Sequence, residues 1–191
     1  MDKNDKLWIK LTAAIKAILN EGECDHSIDL YDGAYEIVYD RNDSESKVYD
    51  GIKEIIGEYL FTNVREKIFP INRQLIATID QIWREYQKSI SQIEKIFSHL
   101  SIIYIKPNKL LSISELSSKL FYENIINHQC LIYHIRDQLL LFILNEDNPN
   151  PEYKKTIRNV WQILMDFDLN IFDNHFEKPF RQHCDKFVKV S

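Results

Sequence analysis

With 191 residues, 28% of them charged and 45% hydrophobic, the chain has the composition of a globular protein, long enough to bury about 70% of its extended surface. Four Gly and five Pro are too few punctuators for a many-turned β fold, so the expected class is all-α. A net charge of -5 and a pI near 5.7 leave no basic footprint for nucleic acid, and no apolar run approaches the ~18 residues of a membrane span.

The start, MDKNDKLW, is polar rather than signal-like. Cys24, Cys130 and Cys184 are widely spaced and odd in number, which argues against a disulfide framework and for a reducing compartment, cytosol or nucleus. In chain order, Trp8 to Asn20 places Trp8, Leu11, Ile15, Ile18 and Leu19 on one face and predicts a first helix. Glu21 to His26 reads as a loop, with Ser27 or Asp29 as N-cap of a second helix that runs to about Tyr39. Arg41 to Lys47 (RNDSESK) reads as the turn into a third helix at Val48. That helix carries Val48, Ile52, Ile55, Ile56, Tyr59 and Leu60, continuing through Val64 and Ile68 up to Pro70.

The clearest pattern starts near Leu75. Ile79, Trp83, Tyr86, Ile90, Ile93, Phe97, Leu100 and Tyr104 alternate steps of four and three, the seam of a long core helix. His99 and Ile102 sit off that seam and close to each other, which leaves Ile102 either covered by a later helix or part of a binding surface. Pro107 and Asn108 end the helix, and Ser112 or Ser114 can cap a spine of thirty residues through Leu116, Leu120, Ile125, Ile126, Leu131, Ile135, Leu139 and Ile143. Asn145 to Pro151 reads as a loop. Ile157, Val160, Trp161, Leu164 and Met165 form a shorter helix, and Phe172, Phe176, Phe180, His183 and Phe187 mark the last, with Pro179 in its first turn. Shorter helices followed by a long one, begun twice, are what a helical solenoid gives.

Helix two carries more apolar surface than one core requires. Leu30, Ala34, Ile37 and Val38 form a core arc; Ile28, Tyr31, Tyr35 and Tyr39 form a second arc beside it; Asp29, Asp32, Glu36 and Asp40 gather on the remaining side with Gly33. A surface helix needs a stripe of about 100°, and this one has roughly twice that. The tyrosines are therefore either further core or an interface, where rigid amphipathic tyrosines with an acidic rim are at home.

Chemistry-bearing constellations are missing from the sequence. His128 and His134 point to different helix faces, as do His183 and Cys184, and there is no paired C-x-x-C or H-E-x-x-H, so no metal site is expected. The scattered glycines make no phosphate loop, no G-x-S-x-G occurs, and no cofactor is implied. Lys178, Arg181, Lys186 and Lys189 make the last segment locally basic, read as a solvated face.

Leu30, Tyr31, Ala34 and Tyr35, then Val48, Tyr49, Ile52, Tyr59 and Leu60, resemble the second and third helices of a cullin N-terminal domain. Trp8, Leu11, Ile15 and Ile18 resemble that family's first helix, and Trp83, Tyr86, Ile96, Leu100 and Tyr104 its first long helix. Ile157, Arg158 and Leu164 match a second-repeat helix, and Phe176, Glu177, Pro179 and Phe180 match a recurrent F-E-x-P-F element. The relative register of these segments carries the resemblance, which is strongest to the cullins that bind BTB-domain adaptors.

The resemblance implies helical bundles stacked as an elongated stalk, with residues 1–110 a first repeat and 111–191 part of a second. It implies a non-catalytic scaffold of a cullin-RING ubiquitin ligase, whose tip binds a BTB or Skp1-like adaptor while other subunits transfer ubiquitin. The implied binding residues are Tyr31 and Tyr35, His99, Leu100 and Ile102, with Ser27 and Ile28 where the family has an aromatic or aliphatic anchor. There are departures: His99 replaces a usual tyrosine, Ser101 and Ile102 stand where Asp-Arg is common, and only seven residues precede Trp8. The C-terminal cullin domain, through which the family contacts a RING-box subunit, is not expected within these residues. A truncated adaptor-binding competitor and an unrelated helical-repeat protein with internal tyrosines are the alternatives; exposure of Tyr31, Tyr35 and Ile102 separates the latter.

Overall fold

The seam from Ile79 to Leu100 is the axis on which the other helices assemble. The computed structural model describes residues 3–22, 27–39, 44–70, 74–144, 151–167, 173–178 and 181, and no strand occurs among them. In α1 (Lys3–Glu21), Leu11, Ile15, Ile18 and Leu19 are buried as the period requires; the helix starts five residues before Trp8, with Asp5 in the first turn, where the helix dipole favours a carboxylate. α2 spans Ser27–Tyr39. α3 (Ser44–Tyr59) also begins earlier than its apolar pattern. Residues 44–47 belong to the helix rather than to the turn, and the Ser44 hydroxyl donates to the Ile37 carbonyl at 2.7 Å, tying the start of α3 to the end of α2.

Beyond α3 the chain keeps helical course, but through a π turn at Leu60–Val64, closed by the Arg65 N–H on the Leu60 carbonyl, before α4 (Arg65–Ile68). Leu60, Val64 and Ile68 recur every four residues, a spacing that overshoots a straight α-helix. The wider turn keeps all three buried.

α5 (Leu75–Ile96) contacts α1, α2, α4 and the helices that follow. Ile79, Tyr86, Ile90 and Ile93 are fully buried on it, with Trp83 packed at the margin of the core. The long helix is interrupted at Phe97, whose φ of -97° and ψ of 26° leave helical geometry. After it come the short α6 (Ser98–Leu100) and a π turn, Ser101–Ile105, in which the Lys106 N–H donates to the Ser101 carbonyl at 3.0 Å. Phe97 and Leu100 remain buried across the break, so the seam continues although the helix does not.

α7 (Ile113–Phe121) opens with a reciprocal cap: the Glu115 N–H donates to Ser112 Oγ at 3.1 Å and the Ser112 N–H to Glu115 Oε2 at 2.8 Å. The expected thirty-residue spine is two elements. A π turn at Tyr122–Ile126 ends with the Asn127 N–H on the Tyr122 carbonyl, and the His128 carbonyl then receives the Leu131 and Ile132 N–H groups to start α8 (Gln129–Leu144). α9 (Pro151–Phe167) begins on a proline, whose missing N–H costs nothing in a first turn, and runs along α5. Of the loop expected from Asn145 to Pro151, Pro151 belongs to α9 and the rest lies outside the described residues, as do Phe172, Pro179, Phe180, His183 and Phe187 of the last expected helix. Phe176, in the single turn Asp173–Glu177, is buried.

Polar ties cross the core. Ser89 Oγ donates to the Ile18 carbonyl at 2.9 Å, Gln92 to the Gly22 carbonyl at 2.7 Å, and the Tyr86 hydroxyl to the Ser117 carbonyl at 3.1 Å. Burial raises the Tyr86 phenol far above its ordinary range, consistent with a neutral donor.

Candidate functional site

α2 packs against α1, α3, α5 and α6, and its sequence assigns each side. Leu30, Ala34, Ile37 and Val38 are buried, as their arc predicts. Gly33 is not on the open acidic side where the period puts it: it is buried against α1, and a β-carbon there would stand 2.9 Å from Leu7 Cδ1. A glycine lets the two helices approach at this point.

The tyrosine arc is open to solvent. Tyr31, Tyr35 and Tyr39 are 38%, 43% and 51% exposed, which excludes the reading in which they fill the core. They are nonetheless ordered by one another and by His99, which α6 delivers beside them. The Tyr31 hydroxyl is hydrogen bonded to His99 Nε2. The Tyr35 ring meets the imidazole edge-on at 4.8 Å between centroids, and Tyr39 lies 4.3 Å from Tyr35. Such contacts are worth roughly 0.5–1.5 kcal/mol each beyond area, enough to hold the rings in place before any partner arrives. Loss of solvent beside these neighbours, followed by the Tyr35 phenol, pushes the Tyr39 phenol above its usual range.

Three residues past His99, Ile102 is 61% exposed. Among the described residues no later helix covers it, and the π turn that carries it is the kind of local rewinding found often at functional sites. Leu100 differs from the expectation: it is fully buried, the residue of the seam beneath His99, and supports the surface instead of belonging to it. Ser27 and Ile28 open α2, and their side chains lie outside the described residues. Tyr39 belongs to the cluster though it was not among the implied binding residues; its spacing from Tyr35 was the available signal.

Elsewhere, an open groove of about 600 Å3 between α7 and the end of α9 is lined by Ser114, Glu115, Lys119, Tyr122 and Phe167. Glu115 is engaged in its cap and Lys119 in a 3.9 Å pair with Glu123, so the groove presents no nucleophile with a base. Among the described residues no group of three or more His, Cys, Asp or Glu is placed to hold a metal ion. No described helix is long and apolar enough to cross a membrane.

Comparison with known proteins agrees with the geometry. The cullin alpha solenoid domain matches residues 8–190. Cullin-3B and Cullin-3A of Arabidopsis thaliana are each 24% identical over 187 residues, covering 97% of this chain and 25% of the relative. Cullin-3 of Dictyostelium discoideum is 22% identical over 178 residues, covering 91% of this chain and 23% of the relative. The chain thus spans about a quarter of the length of these relatives. With a helical solenoid matched over nearly its whole length, the chain belongs to the cullin family, as part of its N-terminal alpha solenoid domain.

Proposed function

We propose that this chain binds a substrate-receptor adaptor of BTB or Skp1-like fold through the end of its first repeat, as the scaffold part of a cullin-RING ubiquitin ligase. The single observation that carries the reading is the solvent-exposed aromatic cluster of Tyr31, Tyr35 and Tyr39 organised on His99. Exposed, pre-ordered tyrosines are the anchors that dominate protein interfaces, since little side-chain entropy remains to be lost on binding. The mode is helix-face packing: α2 and the α6 end of the long helix offer aromatic and aliphatic contacts to an apolar groove on the partner. Ser27 and Ile28, at the start of α2, complete the proposed set of binding residues.

Residues 1–110 form the first repeat and carry the tip; 111–191 form part of a second, which continues the stalk. The two parts are packed together across that boundary: α7 and α9 lie along α5, and the Tyr49 hydroxyl donates to the Leu111 carbonyl at 2.9 Å. The biochemical act of the chain is binding; ubiquitin transfer belongs to other subunits, recruited through a RING-box contact made by a cullin's C-terminal domain. The setting is the cytosol or nucleus.

The test is capture from native lysate by the wild type beside Tyr35→Ala, with retained proteins identified by mass spectrometry. A BTB-domain or Skp1-like protein recovered by the wild type alone is the expected result. Identical recoveries with both forms would remove the tip from the account.

A further inference from the structure

Three strips follow one another around the open side of α2. The tyrosine strip faces α6, where His99 borders it, and Ile102 stands exposed three residues further along the chain. On its other border Asp29, Asp32 and Glu36 fall within about 60° of one another at helical spacing. That border is the side of α1, since Glu36 is paired with Lys3. The three acids are not equivalent. Glu36 has its cation, and Asp29 lies in the first turn of α2, where the helix N-terminus favours a carboxylate. Asp32 is exposed, and among the described residues it has no cation within ion-pair reach.

We propose that the tip reads its protein partner laterally, seating an apolar side chain of the partner against Ile102 and a Lys or Arg of the partner against Asp32, on opposite sides of the tyrosines. This rests on the adaptor-binding reading and adds to it the partner's chemistry and its orientation. The two borders act by different physics. Covering Ile102 removes apolar surface from water and responds little to salt. A cation brought to Asp32 gains Coulomb energy that is screened within about 10 Å at 0.1 M salt and steers encounter at low ionic strength. Rotating the partner by half a turn on the tyrosines would set its cation against isoleucine and its apolar group against a carboxylate, so a wrong orientation loses both contacts.

The experiment measures binding of purified BTB domains to the wild type and to Tyr35→Ala, Asp32→Asn, Asp32→Lys and Ile102→Ala, each at 50 and 500 mM NaCl, with helical content checked by circular dichroism. All three positions are solvent-exposed side chains, so the variants are expected to fold. The wild type is expected to weaken as salt rises. Asp32→Asn should bind about two- to fivefold more weakly at low salt and lose most of the salt response, and Asp32→Lys should lose about tenfold. Ile102→Ala should weaken binding with the salt response intact. If Tyr35→Ala abolishes binding while Asp32→Lys binds like the wild type with the same salt response, the lateral inference falls and the adaptor site stands. If no BTB domain binds, or Tyr35→Ala binds like the wild type, both fall.

Discussion

A β-carbon on Gly51 would stand 2.3 Å from Cζ2 of Trp8, so this position in α3 is where the indole of α1 lies directly on a neighbouring backbone. Alanine normally stabilises a helix interior relative to glycine, because the unfolded chain has less freedom to lose. At Gly51 the clash outweighs that gain, and Gly51→Ala should lower unfolding free energy by about 1–3 kcal/mol in urea melts. Gly57, in the same helix with nothing within 4 Å of its missing β-carbon, is the control: Gly57→Ala should raise stability by about 0.4–1 kcal/mol. Equal effects at the two sites would contradict the packing described. Trp8 could be placed on an apolar face from its spacing, but Gly51 could not, because a close approach between elements leaves no mark in the periodicity of either. His99 and Leu100 show the same limit. Adjacent in the chain and both implied in binding, they part company because the seam claims Leu100 for the core and leaves His99 to the tyrosines.

Most elements were legible, since each buries one face and the 3.6-residue period exposes it. Their interruptions were not. The π turns at 60–64, 101–105 and 122–126 keep a seam buried through a change of winding, and a hydrophobic pattern is blind to winding when the residues of the seam still land inside. The early start of α3 was hidden because residues 44–47 are polar, held by a Ser44 hydrogen bond rather than by burial. The start of α7 was legible through Ser112, and its cap makes a prediction. Hydrogen bonds from Ser112 hold the Glu115 carboxyl below the ordinary glutamate range. A depressed acid contributes stability that is complete above its unfolded pKa, about 4.3, and is lost as pH falls through the lower folded value. Ser112→Ala should cost about 1 kcal/mol, while Glu115→Ala, which removes the titrating carboxyl that accepts from the Ser112 backbone N–H, should leave a gap from the wild type that narrows as the pH of the melt is taken below about 4. A gap that is constant down to pH 2 would refute the capping box.

Across the described residues, α5 joins α1, α2 and α4 to α7, α8 and α9, and one buried acid on it adds a hydrogen-bonded link to α9. Asp80, 2% exposed on α5, accepts from Arg84 at 2.9 Å and from Asn159 of α9 at 3.2 Å. Asp80→Ala leaves the half-buried Asn159 amide without its acceptor and should destabilise the fold by about 1–3 kcal/mol. Hydrogen exchange should quicken in 151–167 before it does in α1 to α3; uniform acceleration would mean that α9 is not separately attached. The all-α solenoid class was legible from the relative register of Trp8, the tyrosines, the long seam and FEKPF, whereas the exposure of the tyrosines was not, because a stripe at helical spacing reads the same in a core and at an interface. The central claim is that this stripe is a binding surface. Its most direct test is calorimetric titration of Tyr35→Ala with a BTB domain bound by the wild type, alongside the thermal melts of both proteins. The account predicts an affinity loss of about 2 kcal/mol or more with coincident melts. A lowered melting temperature with unchanged affinity would place Tyr35 in the support of the fold and contradict it.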